Sequence, residues 1–194
     1  MRAIQYLTLV VLTAALTACG TTGGQAYPNP PTGSAYPNPP AGSAYPNPLP
    51  ASVPSTCAVT RQPDPAFVPP PPTPPQPPAR YVGQFWYGTP DLWTMLGSQG
   101  TWSGLQLGAN GYSQKIFWWR QGYVSTVEQK PALTVTATRL DATAAAVTVT
   151  DATNASADFG DAMLVGVTLP TGGCWRITGQ YRGHDLSFIV WVAP

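Results

Sequence analysis

Charge is what this chain has least of. Asp, Glu, Lys and Arg make up 9% of its 194 residues, against about 25% in an ordinary soluble domain. A formal net charge of +1 leaves no basic footprint, which excludes nucleic-acid binding, since that depends on many Lys/Arg–phosphate contacts. Histidine is almost missing as well. His184 stands alone, so no zinc or copper ligand set can be assembled from the sequence. It is also the one imidazole available as a base to any nucleophile. No Gly-x-Ser-x-Gly elbow occurs, and residues 108–111 lack the lysine and following helix of a phosphate loop. Carboxylates that hydrolyse glycosides face each other across a cleft about 5–9.5 Å wide. Here the close acidic pair, Asp158 and Asp161, shares one loop. Asp151, Asp158 and Asp161 offer calcium hard oxygens, but without EF-hand-like spacing. The expectation is a protein that is not an enzyme and uses no cofactor.

Long apolar runs are scarce too, and the one present opens the chain. Met1-Arg2 precedes an apolar stretch over residues 6–15, too short for a settled span of about 20 residues. It ends in Leu16-Thr17-Ala18-Cys19, which looks like a bacterial lipobox. That reading makes residues 1–18 a signal peptide and Cys19 the acylated N-terminus of an exported lipoprotein, partnered with the membrane through its lipid. Gly20 in place of an aspartate favours the outer membrane where one exists, and otherwise the outer face of the cell membrane. An ordinary secretory leader is the plainer alternative. With Cys19 lipidated, Cys57 and Cys174 remain, an even pair that in an exported protein is a disulfide candidate. The alternatives are unpaired thiols, or a thiol nucleophile whose base would have to be His184.

Proline is concentrated before residue 81. Residues 26–52 repeat with a nine-residue period around Tyr27, Tyr36 and Tyr45, each followed by Pro-Asn-Pro. This is too short for a solenoid unit, and it reads as extended segments with Gly-Ser joints, so residues 19–56 form an anchored linker. Residues 57–80 are a proline-rich segment partly docked on the domain through Cys57 and Phe67. Within it, residues 69–78 hold eight prolines and read as a rigid polyproline II spacer of about 3.1 Å per residue.

Residues 81–194 are all-β in pattern. Strands are expected over residues 81–87, 92–96, 101–107, 113–120, 131–140, 144–150 and 162–169, with a polar loop and a short edge piece in 151–161. The chain then closes in a hairpin. Trp175, Ile177 and Gly179 alternate with Cys174, Arg176, Thr178 and Gln180; after a turn at residues 182–185, Leu186, Phe188, Val190 and Val192 share one face. A lone hairpin is marginal in water, so the earlier strands must complete its sheet. The expected fold is an antiparallel, immunoglobulin-like β-sandwich behind a disordered proline-rich stalk, with a small β-barrel as runner-up.

Several pieces carry a resemblance: Cys57-Ala-Val-Thr-Arg61, Leu92-Trp93-Thr94, Phe117-Trp118-Trp119-Arg120, Thr138-Arg139-Leu140-Asp141, Gly173-Cys174-Trp175 and Leu186-Ser187-Phe188. Together they resemble a domain of uncharacterised function in exported, lipoprotein-like bacterial proteins. The resemblance spans roughly residues 57–192, implies export, and agrees with a Cys57–Cys174 disulfide, but implies no activity. Arg176 departs from it, standing where an acidic residue is commoner, and the proline-rich spacer is unusually long.

Aromatics are the one excess. All seven tryptophans fall within residues 86–191. In a strand the adjacent Trp118 and Trp119 face opposite sides, so one fills the core while the other is left for the outer face or an edge, with Arg120 on the side of Trp118. Two functional readings follow. One is a non-catalytic cell-envelope domain with a structural or protein-interaction role. The other is a carbohydrate- or cell-wall-binding module that uses an exposed ring of Trp118 or Trp119, helped by Arg120, Tyr112 or Tyr123. The leader makes the first testable claim: palmitate supplied to cells labels the wild-type chain and not Cys19→Ser, and equal labelling of both rejects the anchor.

Overall fold

The computed structural model of the protein describes residues 52–74, 76–155 and 159–193. The leader, Cys19, the Tyr27/Tyr36/Tyr45 repeats and Asp158 lie outside the described residues. Eleven strands follow a short 3-10 turn at Ala79–Tyr81: β1 Gln84–Thr89, β2 Leu92–Gly97, β3 Thr101–Trp102, β4 Leu107–Gly108, β5 Gly111–Trp119, β6 Thr134–Arg139, β7 Val147–Val149, β8 Thr153–Asn154, β9 Met163–Leu169, β10 Gly173–Tyr181 and β11 His184–Val192. They form two sheets. The first runs β1-β2-β5-β9-β8, with β4 also on β5; the second runs β3-β11-β10-β6-β7. Every pairing is antiparallel except β3 with β11. No α-helix occurs among the described residues, and the sheets stay separate instead of closing into a barrel.

Strand ends shift by a few residues throughout, β6 beginning at Thr134 and β7 at Val147, and three differences from the sequence reading have a clear cause. The strand expected over residues 101–107 breaks, because only Thr101 and Trp102 pair with β11, while Leu107 and Gly108 pair with β5. The first strand starts at Gln84, not at residue 81, because the chain leaves the 3-10 turn through Gly83 with φ 79°. The terminal turn is two residues long. Tyr181 pairs directly with His184, and Arg182 and Gly183 both have positive φ, 49° and 80°. Both central residues of a type I′ turn require positive φ, and that turn matches the twist of the flanking strands.

The core lies between the sheets. The second sheet contributes Val135, Ala137, Trp175, Ile177, Phe188, Val190 and Val192; the first contributes Phe85, Leu92, Leu96, Ile116, Trp118, Val165 and Val167. These are the alternate positions of each strand, as a sheet with one face on the core demands. Trp118 is fully buried, and its six-membered ring lies where a side chain at Gly179 would have to be. A Cβ built there would fall 2.5 Å from the Trp118 ring. Large faces small across the two sheets.

The outer edge of β11 is sealed by contacts from distant parts of the chain. Ile189 accepts from the Thr60 N–H at 2.9 Å and donates to Thr60 Oγ1 at 2.8 Å. The Trp191 N–H donates to Gly100 O at 2.9 Å, and the Tyr87 hydroxyl donates to Ser187 O at 3.2 Å. A bare edge of this kind would template pairing with another chain.

Gly179 gives a direct test of the packing. Gly179→Ala overpacks the site and is expected to cost about 1–3 kcal/mol in urea unfolding. Gly166→Ala is the control, since nothing lies within 4 Å of a Cβ there; its midpoint should change little. Equal midpoints for both variants would reject the Gly179–Trp118 contact.

Candidate functional site: an aromatic cleft under a proline strap

The first sheet is apolar on both faces. Opposite the core, Trp86 of β1, Trp93 and Met95 of β2, Phe117 and Trp119 of β5 and Leu164 of β9 form a second cluster with Phe67, Ala155, Phe159 and Ala162. Sheets with one wet face alternate apolar and polar residues; strands buried on both faces read as continuous apolar runs. Phe85-Trp86-Tyr87, Leu92-Trp93-Thr94-Met95-Leu96 and Ile116-Phe117-Trp118-Trp119 are such runs. This was the available signal for the second apolar face.

Two pieces of chain cover that face. One is the arm before β1. Cys57 is bonded to Cys174 of β10, with sulfurs 1.98 Å and Cα atoms 5.6 Å apart. Beyond Thr60 the arm reaches the outer face of the first sheet, where Phe67 packs on Trp93 at 6.3 Å between ring centroids. The proline stretch does not run on as a straight spacer. It turns where the Thr73 N–H donates to Pro70 O at 3.2 Å, and it lies over the indoles, with the Trp86 Nε1–H donating to Pro74 O at 3.0 Å. The second cover is the loop before β9. Phe159 stacks on Phe117 at 4.0 Å and 14°, and its carbonyl accepts from the Trp119 Nε1–H at 3.1 Å. Trp86 and Trp119 meet edge to face at 5.0 Å. A buried aromatic ring removes about 150–250 Å² from water, which at about 25 cal/mol per Å² is roughly 4–6 kcal/mol gross. Each hydrogen bond contributes about 1 kcal/mol net. Burial holds the covers down, and the indole donors set where they sit.

Covers and sheet do not meet everywhere. Between them is a cleft of about 290 Å³. Its floor is Trp86, Trp93, Met95 and Trp119; Pro70 to Pro74, Pro78 and Tyr81 form one wall, and Phe159 another. Arg120, Gln121, Gly122, Tyr123 and Asp161 supply the polar side. The Arg120 guanidinium lies 5.7 Å from the Tyr181 ring centroid. Asp161 Oδ1 accepts from the Ser125 N–H at 2.8 Å and Ser125 Oγ at 2.9 Å. The Tyr123 hydroxyl donates to Glu128 O at 2.8 Å, and burial, then Glu128 and Asp161, raise its pKa. Tyr181 donates to Glu128 Oε2 at 2.6 Å; burial first and that carboxylate second push its pKa up to about 12. Both tyrosines therefore act as neutral donors. A second cavity of about 180 Å³ opens where β2 and β5 part, beside Met95, Gln114 and Phe117.

The five residues proposed from sequence for an exposed ligand-binding face divide between two places. Trp119, Arg120 and Tyr123 line the cleft, whereas Trp118 and Tyr112 belong to the inter-sheet core, which Tyr123 also joins. Trp118 and Trp119 do face opposite ways, but neither is exposed, at 0% and 6%. The ring that was to be left free is covered by the strap and the Phe159 loop. Trp86, Trp93, Phe159 and the strap prolines were not anticipated as site residues. His184 Nδ1 sits 3.5 Å from Asp91 Oδ2, and Cys174 is held in its bond to Cys57. Among the described residues, no three of His, Cys, Asp and Glu converge on a metal-sized site. No protein family matches the chain, no curated protein does, and no solved structure does.

The arm gives the next prediction. Replacing both Cys57 and Cys174 by serine opens a link across 117 residues, worth roughly 4–5 kcal/mol on a chain-entropy basis. Trypsin should then cut after the exposed Arg61 well before it attacks the sheets. Non-reducing peptide maps of the wild type should show the linked cysteine peptides. Two free thiols in the native protein, or unchanged cleavage at Arg61, would reject the tether.

Proposed function

We propose that this is a non-catalytic binding domain of an exported lipoprotein, held at the cell envelope by Cys19 and its proline-rich linker, and that the aromatic cleft is where it engages its ligand or partner. The observation that carries the reading is the cleft: an apolar enclosure floored by three indoles and roofed by a separate piece of chain, the form that small-ligand sites commonly take. The lipobox and the resemblance to exported lipoprotein-like domains support the location, and the disulfide suits an oxidising compartment. The absence of a sequence motif for catalysis and the scarcity of charge support binding over turnover. The glycan-binding alternative required an open ring at Trp118 or Trp119, and with both buried it has lost that footing.

A photo-crosslinking residue at Gln121, beside the cleft, tests the reading in intact cells. Irradiation should give a discrete adduct there and none from the same residue at Thr148, which is exposed on β7 of the other sheet. The adduct's mass distinguishes a protein partner from a small ligand. Retention of the protein on peptidoglycan, lost in Trp119→Ala with the fold intact, would transfer the case to the glycan reading. No adduct at Gln121 would remove the cleft as the site.

A further inference from the structure

The strap shows what the indole floor accepts. Pro70, Pro71, Pro72 and Pro74 lie along it, and the Trp86 Nε1–H reaches a carbonyl within that run, Pro74 O, at 3.0 Å. Grooves lined by aromatic side chains take proline-rich segments in this manner. Such segments enter already extended and lose little freedom on docking. The strap does not use all of the surface. Between it and the floor the cleft of about 290 Å³ remains, bounded by Trp86, Trp119, Tyr81 and the strap's own prolines.

We propose that the cleft takes a Tyr-Pro-Asn-Pro unit from the linker of a second copy of this chain. This deepens the binding-domain reading and rests on it. The sequence before the described residues carries the matching chemistry: residues 26–52 hold nine prolines, Tyr27, Tyr36 and Tyr45, and no Asp, Glu, Lys or Arg. Tyrosine and proline rings suit walls of indole, phenyl and prolyl groups. Arg120 and Asp161 line the cleft with opposite signs, so an uncharged segment is the one that fits. The asparagine of each unit brings an amide donor and an amide acceptor to that polar side. A volume of about 290 Å³ lies at the small end for ligand sites, about 300–1,000 Å³, and seats a few residues of one unit. At least two of the three units in each chain are then left over, and that surplus suits exchange between copies better than use of a chain's own linker. Anchors at Cys19 would hold the copies on one surface, where a tethered segment meets its site at high effective concentration.

Two differently tagged versions of the full chain, expressed together, test this, with the photo-crosslinking residue at Gln121 in one of them. Irradiation should join the two tags in an adduct of twice the chain's mass. Tryptic mapping should place the other copy's end of the link in its N-terminal peptide, which ends at Arg61. Deleting residues 26–52 from the other copy alone should abolish the adduct, and the crosslinking domain, unaltered, cannot have lost its fold. In that copy Tyr27→Phe, Tyr36→Phe and Tyr45→Phe together should keep the adduct, whereas alanine at the same positions should weaken it about tenfold, the worth of one aromatic contact. A link within a single chain, unaffected by the deletion in the other copy, assigns the cleft to the chain's own linker and overturns the proposal. So does a joined pair that survives the deletion, since the copies then touch elsewhere. An adduct of any other mass overturns it too while upholding the broader binding reading, and no adduct removes both.

Discussion

The structure depends on a sheet that is apolar on both faces. The first sheet gives one face to the second sheet and has nothing of comparable size for the other, where Trp86, Trp93 and Trp119 stand together. Left in water, that patch would be an association site of the kind monomers avoid. The chain covers it with its own arm and one loop instead of a third sheet. Proline suits this use, because its φ is already fixed and it loses little freedom on docking. The arm is therefore part of the fold and not merely its attachment.

The same arm resolves a second problem. On its way from Cys57 to the indoles it passes the outer edge of β11, and Thr60 meets both hydrogen-bonding groups of Ile189. Edge protection, the disulfide and the roof of the cleft are thus successive stations on one stretch of chain. Val59 lies close enough to Gly100 that a Cβ there would fall 2.6 Å from it, so that glycine, with φ 64°, is required by the path of the arm as well as by its own turn.

The terminal hairpin was legible because period-two alternation and an Arg-Gly turn leave few other solutions. The opposite facing of Trp118 and Trp119 followed from strand geometry alone. The pairing of Cys57 with Cys174 was the natural outcome of an even count. The cleft was not legible, for a physical reason: a proline stretch has the same composition whether it extends through water or lies on a row of rings. What decides between these is the second apolar face, and that face was written in unbroken runs such as Phe85-Trp86-Tyr87, which alternation-based reading treats simply as strand. The break after Trp102 was hidden for a related reason. Residues 101–107 have strand-like spacing, but which neighbour each end finds depends on the rest of the sheet.

The connection between Thr60 and Ile189 spans 129 residues, and a span of that length bears on how the domain closes. Synthesis delivers the N-terminal part of a chain first. Here the strap precedes in the chain the floor it rests on, and Thr60 precedes β11, the strand that receives it. Contacts of such sequence separation form late and slowly. The strap is therefore pinned at its base only when Thr60 and β11, far apart along the chain, are folded together, although the residues that line the cleft itself all lie between positions 70 and 161.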